Sequence, residues 1–345
     1  MADAAMRQPV SGAEPQFLLV RLGSLGDIVH ALPAAAALRD TFPGARIDWI
    51  VERKWRRVLE GNADLSNVIS AERGSAGGIS ATVRRLRSAK YTCAIDFQGL
   101  YKSALLAFAS GAPRRIGFQS SYAREGLAAL CYTERVNPRG PHKVDHNLTL
   151  AEYAGARQGT PRFPLAILPE DDERVTRELG AHNLQEFFVL NPGGGWRSKC
   201  WPAARYGELH RKLAERRGWR GVISFGPGEN DLAEEVIAAA GDPAPVAIAL
   251  ELGPLMALLR RARFVVSADT GPLHLASALG APVVGLYGPT DPARNGPHAA
   301  ADIVVRNPRF SETTYARGAS YSPAMLSITT EQVMEAIERR VGLRR

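Results

Sequence analysis

The stretch that decides the fold is VVSADTGPLHLASALGAPVVGLYGPTDP, residues 265–292. Its pattern predicts an apolar strand that ends at Ser267, a turn over 269–271, and a helix with Pro272 in its first turn. The first turn of a helix offers unpartnered backbone N–H groups and the positive end of the dipole, which together suit a diphosphate. The same residues also fit a plain N-cap at Asp269 or Thr270.

A second strand-to-helix turn lies near the start of the chain, in RLGSLGDIVHALP, residues 21–33. Gly23 and Gly26 are followed at once by Asp27. Glycine lets backbone N–H groups approach an anion, but an aspartate repels one. The turn therefore predicts contact with something other than phosphate, such as a hydroxyl that must lose a proton. The alternative is that Asp27 is the N-cap of the following helix.

Short apolar strands alternate with amphipathic helical stretches along the chain, and the series occurs twice. The proline-rich and acidic segment 162–173 separates the two series, so we place a domain boundary near residue 165. The pattern predicts an α/β fold with two Rossmann-like halves that face a crevice at the carboxyl ends of their strands. The expected strands are 17–22, 47–51, 92–97, 187–191, 221–225, 263–268 and 282–287.

Composition narrows the class of protein. A chain of 345 residues suggests two domains. The net charge of +8 favours acidic partners, but no nucleic-acid-binding motif accompanies the basic clusters. The three cysteines have no paired spacing, which argues against disulfides and zinc. The segment HKVDH, residues 142–146, is interpreted as the start of a helix rather than as a metal-binding pair of histidines. No metal is expected.

The motifs together resemble glycosyltransferase family 9, the heptosyltransferases of lipopolysaccharide core synthesis. RLGSLGDIVHALP, IDFQGLYKSALLA (95–107), LNPGGGWRSKCWP (190–202), FGPGEND (225–231) and the 265–292 stretch follow one another in family order. GSLGD followed by Ile, Val and His is closest to the heptosyltransferase I branch.

The resemblance implies a GT-B fold. It also implies inverting transfer of heptose from ADP-L-glycero-D-manno-heptose to Kdo of lipid A–Kdo. The expected parts are a disordered tail (1–16), an acceptor domain (17–165), a donor domain (166–325), and a C-terminal helix (326–345) that packs back on the first domain.

Site residues follow from the resemblance. Asp27 is expected to be the general base, and Lys199 and a helix N-terminus are expected to stabilise the ADP leaving group. Arg197 is the alternative cation, and Asn230 or Asp231 could replace Glu229 on the ribose. The expected donor residues are Gly194, Gly195, Glu229, Leu250, Asp269, Thr270, Gly271 and His274. The expected acceptor residues are Gly23, Ser24, Arg84, Arg85, Arg87, Gln98 and Lys102.

The resemblance also fixes expectations about partners. We expect a nucleotide-sugar donor and a Kdo–lipid A acceptor, with no nucleic acid and no cofactor, since ADP-heptose is a substrate. A cytoplasmic monomer that works at the inner face of the inner membrane is expected, with Arg84, Arg85, Arg87, Lys90, Arg114 and Arg115 on acceptor anions and lipid headgroups. A solvated basic surface is the alternative for these side chains. For the function itself, the alternatives are a GT-B sugar-nucleotide epimerase and a family 9 transferase with another nucleotide sugar.

Overall fold

Each half of the chain is built on a parallel six-stranded sheet. The computed structural model describes residues 14–71, 76–310, 313–314 and 317–342. The chain divides into a unit Met1–Ala166 and a unit Ile167–Arg345. Most of the tail expected at 1–16 lies outside the described residues, and Gln16 already belongs to the first strand.

The sheet of the first unit has the strand order β3-β2-β1-β4-β5-β6. The order reverses between β1 and β4, so the loops that follow these two strands diverge at the carboxyl edge of the sheet. The core strands are apolar and buried because helices cover both faces. The strands are β1 (Gln16–Val20), β2 (Arg46–Glu52), β3 (Asn67–Ala71), β4 (Cys93–Asp96), β5 (Arg114–Phe118) and β6 (Glu134–Val136).

The helices of the first unit pack in two groups. The first long helix packs against the last one, whereas the second packs against the third. Alternate residues of β1, such as Leu18 and Val20, share a core with Leu86 and Ala107 of the second and third helices. The helices are α1 (Leu25–Thr41), α2 (Ala76–Ser88), α3 (Tyr101–Ala109) and α4 (Lys143–Tyr153), with 3-10 helices at Arg53–Leu59 and Gly126–Cys131.

The second unit repeats the design, with strand order β12-β11-β10-β7-β8-β9. The order reverses between β10 and β7, and most of the candidate donor residues follow these two strands, whereas Glu229 follows β8 and Leu250 follows β9. The strands are β7 (Phe187–Asn191), β8 (Arg220–Phe225), β9 (Val246–Ala249), β10 (Val265–Ala268), β11 (Val283–Leu286) and β12 (Ile303–Val305).

The helices of the second unit cover its sheet and form one large core with it. The stacked rings of Phe188 and Phe264, with centroids 5.0 Å apart, lie in that core. The helices are α5 (Pro169–Ala181), α6 (Ala203–Arg217), α7 (Asn230–Ala240), α8 (Leu252–Arg261), α9 (Gly271–Ala278), α10 (Pro292–Asn295), α11 (Pro323–Leu326) and α12 (Thr330–Arg340), with a 3-10 turn at Arg197–Lys199.

The C-terminal helix α12 corrects one expectation. Thr329 is its N-cap, which accepts from the backbone N–H of Gln332. We expected this helix on the first domain. Instead its apolar face, with Val333 and Ile337, belongs to the core of the second unit, and Arg340 pairs with Asp302 at 3.0 Å.

None of the helices in the described part of the chain is long and apolar enough to cross a membrane. The three cysteines of the chain are free: Cys93 and Cys200 are buried and Cys131 is partly exposed.

Candidate active site

Asp27 lies in the first turn of α1, at the carboxyl edge of the first sheet. The N-cap of this helix is Ser24, so the reading of Asp27 as N-cap is wrong. The Ser24 hydroxyl donates to Asp27 Oδ2 at 2.9 Å. Asp27 is buried, with 9% of its surface exposed. Its carboxylate is therefore held by the turn and shielded from bulk water.

Two cations flank the Asp27 carboxylate. Arg21, just after β1, places Nη2 2.6 Å from Oδ2. Lys143, the first residue of α4, places Nζ 2.7 Å from Oδ1. Burial alone raises the pKa of Asp27, but the charges of Arg21 and Lys143 outweigh it and hold that pKa well below the usual range. Asp27 is ionised at neutral pH.

The loops after β1 and β4 fix this Asp27 cluster, which comprises Asp27, Arg21 and Lys143. The Arg21 guanidinium also donates to the carbonyl of Phe97. The backbone N–H of Leu22 donates to Gln98 Oε1 at 2.7 Å. Arg21, which follows β1, and Lys143 of α4 therefore meet on one carboxylate, and the loop after β4 holds Arg21 and Leu22 in place.

The turn between β1 and α1 has little room for a side chain at Gly23. A Cβ on Gly23 would lie 2.8 Å from Nε1 of Trp55, so a side chain there would push the indole away. Gly23 is thus required for a close approach within the first unit.

The expected acceptor residues divide into two groups. Gly23, Ser24 and Gln98 lie around Asp27, and Lys102 pairs with Glu52 at 3.3 Å. Arg84, Arg85 and Arg87 are exposed in the last turns of α2. Because α2 leads into the start of β4, its carboxyl end lies toward the opposite edge of the sheet from Asp27. The structure does not bring these three arginines together with Asp27.

Lys199 occupies a position in the second unit that corresponds to that of Asp27 in the first. It lies in the loop after β7. It is 9% exposed, and Nζ donates to the backbone carbonyl of Asp269 and lies 4.3 Å from the centre of the Trp196 ring. Arg197, the alternative cation, is engaged elsewhere: its guanidinium lies 4.4 Å from the centre of the Tyr321 ring.

The N-terminus of α9 lies beside Lys199. Thr270 is the N-cap, and Gly271 begins the helix. His274 Nε2 lies 3.2 Å from Oδ1 of Asp269. Burial raises the pKa of Asp269, but its hydrogen bond with His274 and the charge of Lys199 lower it to about 2. The carboxylate therefore orients His274, and its charge is balanced beside the helix end that suits an anion.

Glycines bring the loop after β7 close to its neighbours. A Cβ on Gly193 would lie 2.3 Å from Oε1 of Glu229, and one on Gly194 would lie 2.6 Å from Sγ of Cys200. Glu229 is the N-cap of α7 and accepts from the backbone N–H of Gly226 at 2.7 Å. Its carboxylate thus lies against the glycine loop.

The other candidates for the donor site are exposed or only half-buried. The two alternatives to Glu229, Asn230 and Asp231, are exposed. A Cβ on Gly195 would lie 3.9 Å from Cε of Lys199. Leu250 is half-buried in the loop between β9 and α8.

Sequence reasoning missed three side chains at these clusters. Arg21 begins the stretch 21–33, six residues before Asp27, but it was not among the expected site residues. Lys143 lies in HKVDH, which is a helix start as predicted, with His142 as N-cap. Asn191, the last residue of β7, places Oδ1 3.1 Å from the Ser267 hydroxyl and holds the turn before α9.

The described residues contain no group of three or more His, Cys, Asp or Glu side chains with the arrangement of a metal site. His142 and His146 contact other groups: the ring of His142 lies 5.2 Å from that of His30, and His146 Nε2 lies 3.0 Å from the carbonyl of Gly140.

Comparison with known proteins gives the family. The family model of glycosyltransferase family 9 (heptosyltransferase) matches residues 79–324. Lipopolysaccharide heptosyltransferase 1 of Pseudomonas aeruginosa is 32% identical over 304 residues, which cover 84% of this chain and 82% of that protein. Lipopolysaccharide core heptosyltransferase OpsX of Haemophilus influenzae is 25% identical over 85% of this chain and 84% of its own length.

Solved structures agree in fold. E. coli heptosyltransferase WaaC with ADP-2-deoxy-2-fluoro heptose superposes with a TM-score of 0.74 at 27% identity, over 94% of this chain and 99% of that chain. The GT-B class is thereby confirmed, as two Rossmann-like domains. The chain belongs to glycosyltransferase family 9, the heptosyltransferases, and is a glycosyltransferase.

Proposed function

We propose that the protein transfers heptose from ADP-L-glycero-D-manno-heptose to Kdo of lipid A–Kdo in synthesis of the lipopolysaccharide inner core, with inversion at the anomeric carbon. The names of the relatives support the sugar and the pathway. The ADP-2-deoxy-2-fluoro heptose in the E. coli neighbour supports the nucleotide. The observation that carries the proposal is the buried, ionised Asp27 in one unit and the Lys199–α9 anion site in the other.

Asp27 acts as the general base. The acceptor oxygen bonds to the anomeric carbon as the bond from that carbon to the ADP oxygen breaks, and the hydroxyl proton passes to the carboxylate. A carboxylate with a lowered pKa is a weak base, but the proton becomes acidic as the new bond forms. Asp27 then returns the proton to water.

The acceptor hydroxyl approaches Oδ1 of Asp27. Oδ2 is held by Arg21 and Ser24 on the same turn, whereas Oδ1 is held by Lys143 from a separate helix. The Lys143 side chain is 32% exposed and that of Arg21 only 10%. Lys143 is therefore the partner that yields to substrate.

Lys199 and the first turn of α9 stabilise the departing diphosphate. Negative charge grows on ADP as the sugar bond breaks, and a buried ammonium beside helix N–H groups meets it without rearrangement. Glu229, against the glycine loop, accepts from the ribose hydroxyls. The enzyme works as a monomer, without a metal, on the cytoplasmic side of the inner membrane.

The test is a transfer assay with purified protein, ADP-heptose and deacylated Kdo–lipid A, with ADP release and the anomeric configuration of the product measured together. We expect ADP release that depends on acceptor and an inverted product. GDP- and UDP-sugars form the control panel. Faster transfer from one of these would indicate a family 9 enzyme with another donor, and conversion of the sugar nucleotide without acceptor would indicate an epimerase.

A further inference from the structure

Large apolar side chains are exposed on one flank of the first unit. In the described part of the chain, most of the exposed large apolar side chains belong to α3 and the 3-10 helix Gly126–Cys131. Leu105 is 57% exposed and Leu130 is 71% exposed, which is unusual for leucine on a soluble protein when several such residues adjoin. We call this surface the α3 patch: Tyr101, Leu105, Phe108, Leu127 and Leu130.

The α3 patch is one continuous surface because of its helical spacing. Tyr101, Leu105 and Phe108 follow one another at intervals of four and three residues, so they share one face of α3. Leu127 and Leu130 are three apart in a 3-10 helix, where such residues eclipse. The two helices contact each other over a small buried cluster that includes Ala104 and Ala128.

Arg115 joins the two halves of the α3 patch. Its guanidinium lies 5.4 Å from the centre of the Phe108 ring on α3. The same side chain donates through Nε to the carbonyl of Cys131, next to Leu130, at 2.9 Å. A cation is thus fixed at the border of the apolar surface, with its charge shared between an aromatic face and a backbone oxygen.

Two further arginines are anchored at the ends of the same helices. Arg87 Nε donates to the carbonyl of Ala109, the last residue of α3, at 3.2 Å. Arg135 Nε donates to the carbonyl of Ala129 at 2.9 Å. Both side chains are exposed, so the apolar surface has a cationic border.

The acidic residues that adjoin the α3 patch in sequence are engaged by other groups. Glu125 accepts from the backbone N–H of Tyr101 at 2.6 Å. Glu134 pairs with Arg114 at 2.8 Å. Glu125 keeps its negative charge, but Arg87, Arg115 and Arg135 outnumber it, so the net charge at the border remains positive.

We propose that the α3 patch is the surface by which the enzyme docks on an anionic lipid bilayer. The inference rests on the proposed function, because a lipid-anchored acceptor would bring the enzyme to a membrane. Leucine and aromatic side chains enter the boundary between headgroups and acyl chains, while arginines at the border meet anionic headgroups. A second copy of the chain fits the patch less well, because a two-fold interface would bring two cationic borders together.

The experiment is cosedimentation with vesicles of phosphatidylethanolamine and phosphatidylglycerol, with phosphatidylcholine vesicles as the uncharged reference. Wild-type protein should bind the anionic vesicles more tightly, and added salt should weaken that binding. The double variant Phe108→Ser, Leu130→Ser should bind at least ~10-fold more weakly. Leu326→Ser, which removes an exposed leucine from the second unit, is the matched control and should bind like wild type.

A charge-reversed pair tests the border. Arg135→Glu should weaken binding to anionic vesicles by about 10-fold or more, because it removes one cation and adds an anion at the surface. Arg216→Glu, at an exposed position of α6, changes the net charge equally and should have little effect. Equal losses in the two variants would mean that net charge alone attracts the protein, which overturns the proposal.

Other outcomes are also decisive. Wild-type affinity in the double variant, or no binding of wild type to either vesicle, would overturn the proposal. So would a wild-type dimer that the double variant converts to monomer, since a second copy would then occupy the patch. Transfer to the water-soluble deacylated acceptor should be unchanged in the double variant. Absence of that transfer in wild type would instead count against the proposed function.

Discussion

At the scale of single residues, Asp27 is a carboxylate whose charge is kept by its neighbours. Asp27→Asn preserves size and the link to Ser24 but removes the base. We expect turnover to fall by ~10²–10⁴-fold, with ADP affinity unchanged because the residues that we propose for nucleotide binding lie in the second unit. Steady-state rates and calorimetric titration with ADP measure the two effects.

Asp48→Asn is the matched control for this substitution. Asp48 is also buried in the first unit and paired with an arginine, Arg46, at 2.8 Å. It lies near the start of β2, away from the carboxyl edge. Near wild-type turnover in Asp27→Asn would remove Asp27 from the chemistry.

Lys143 gives a prediction about pH. It lowers the pKa of Asp27, while burial raises it, so Lys143→Met should shift that pKa upward. Since the base must be ionised, the acidic limb of kcat/KM should move to higher pH, and the variant should lose activity on acidification where wild type is still unaffected. Lys143→Arg keeps the charge and should restore the wild-type profile. Superimposable profiles for the methionine variant and wild type would contradict this interaction.

Substitution of Lys199 tests the proposed donor site. Lys199→Ala should weaken ADP binding and lower kcat by roughly 10²-fold, the effect of losing one preorganised charge partner. Lys199→Arg should restore activity only in part, because the guanidinium differs in reach and geometry. Arg197→Ala is the comparison, since Arg197 contacts Tyr321. A larger loss in that variant would give the role to Arg197.

At the scale of elements, the direction of α2 decides what its arginines can do. The triple variant Arg84→Ser, Arg85→Ser, Arg87→Ser should leave the KM for a water-soluble acceptor unchanged, because these side chains lie toward the opposite edge of the sheet from Asp27. Initial rates against acceptor concentration provide the measurement. A strongly raised KM would restore these arginines to the acceptor site.

The strands and helices also show which elements a hydrophobic pattern can predict. Strands in the centre of each sheet, such as β1 and β10, are apolar on both faces and were predicted. The edge strands β3, β6, β9 and β12 are short or partly exposed, and the internal strand β5 begins with two partly exposed arginines, so these five strands lack that signal and were not predicted. The apolar face of α12 was evident, but periodicity does not say which core a face joins.

At the scale of the whole molecule, the chemistry needs no metal if Lys199 and α9 meet the diphosphate charge. Activity should therefore persist after dialysis against EDTA. Transfer rates before and after chelation, with metal content checked by elemental analysis, test this. Loss of activity that one divalent cation restores would reveal a metal site.

Strand–helix alternation and glycine-rich turns are local signals, so the sequence predicts the fold and points to Asp27 and Lys199 as candidate site residues. Lys143 could not be predicted, since it lies 116 residues from its partner Asp27 and meets it only through the packing of α4 on α1. The same limit explains the acceptor arginines: composition shows that a helix is basic, but not toward which edge of the sheet its basic end points.

The uneven burial of the three cysteines has a practical consequence. Burial raises the pKa of Cys93 to about 12 and also raises that of Cys200, so both thiols are protected from alkylation. Cys131 is partly exposed and ends the 3-10 helix that carries Leu127 and Leu130. A polarity-sensitive fluorophore attached through maleimide chemistry would thus report from the edge of the lipid-facing surface, with no engineered cysteine, and its emission would follow arrival at a bilayer in real time.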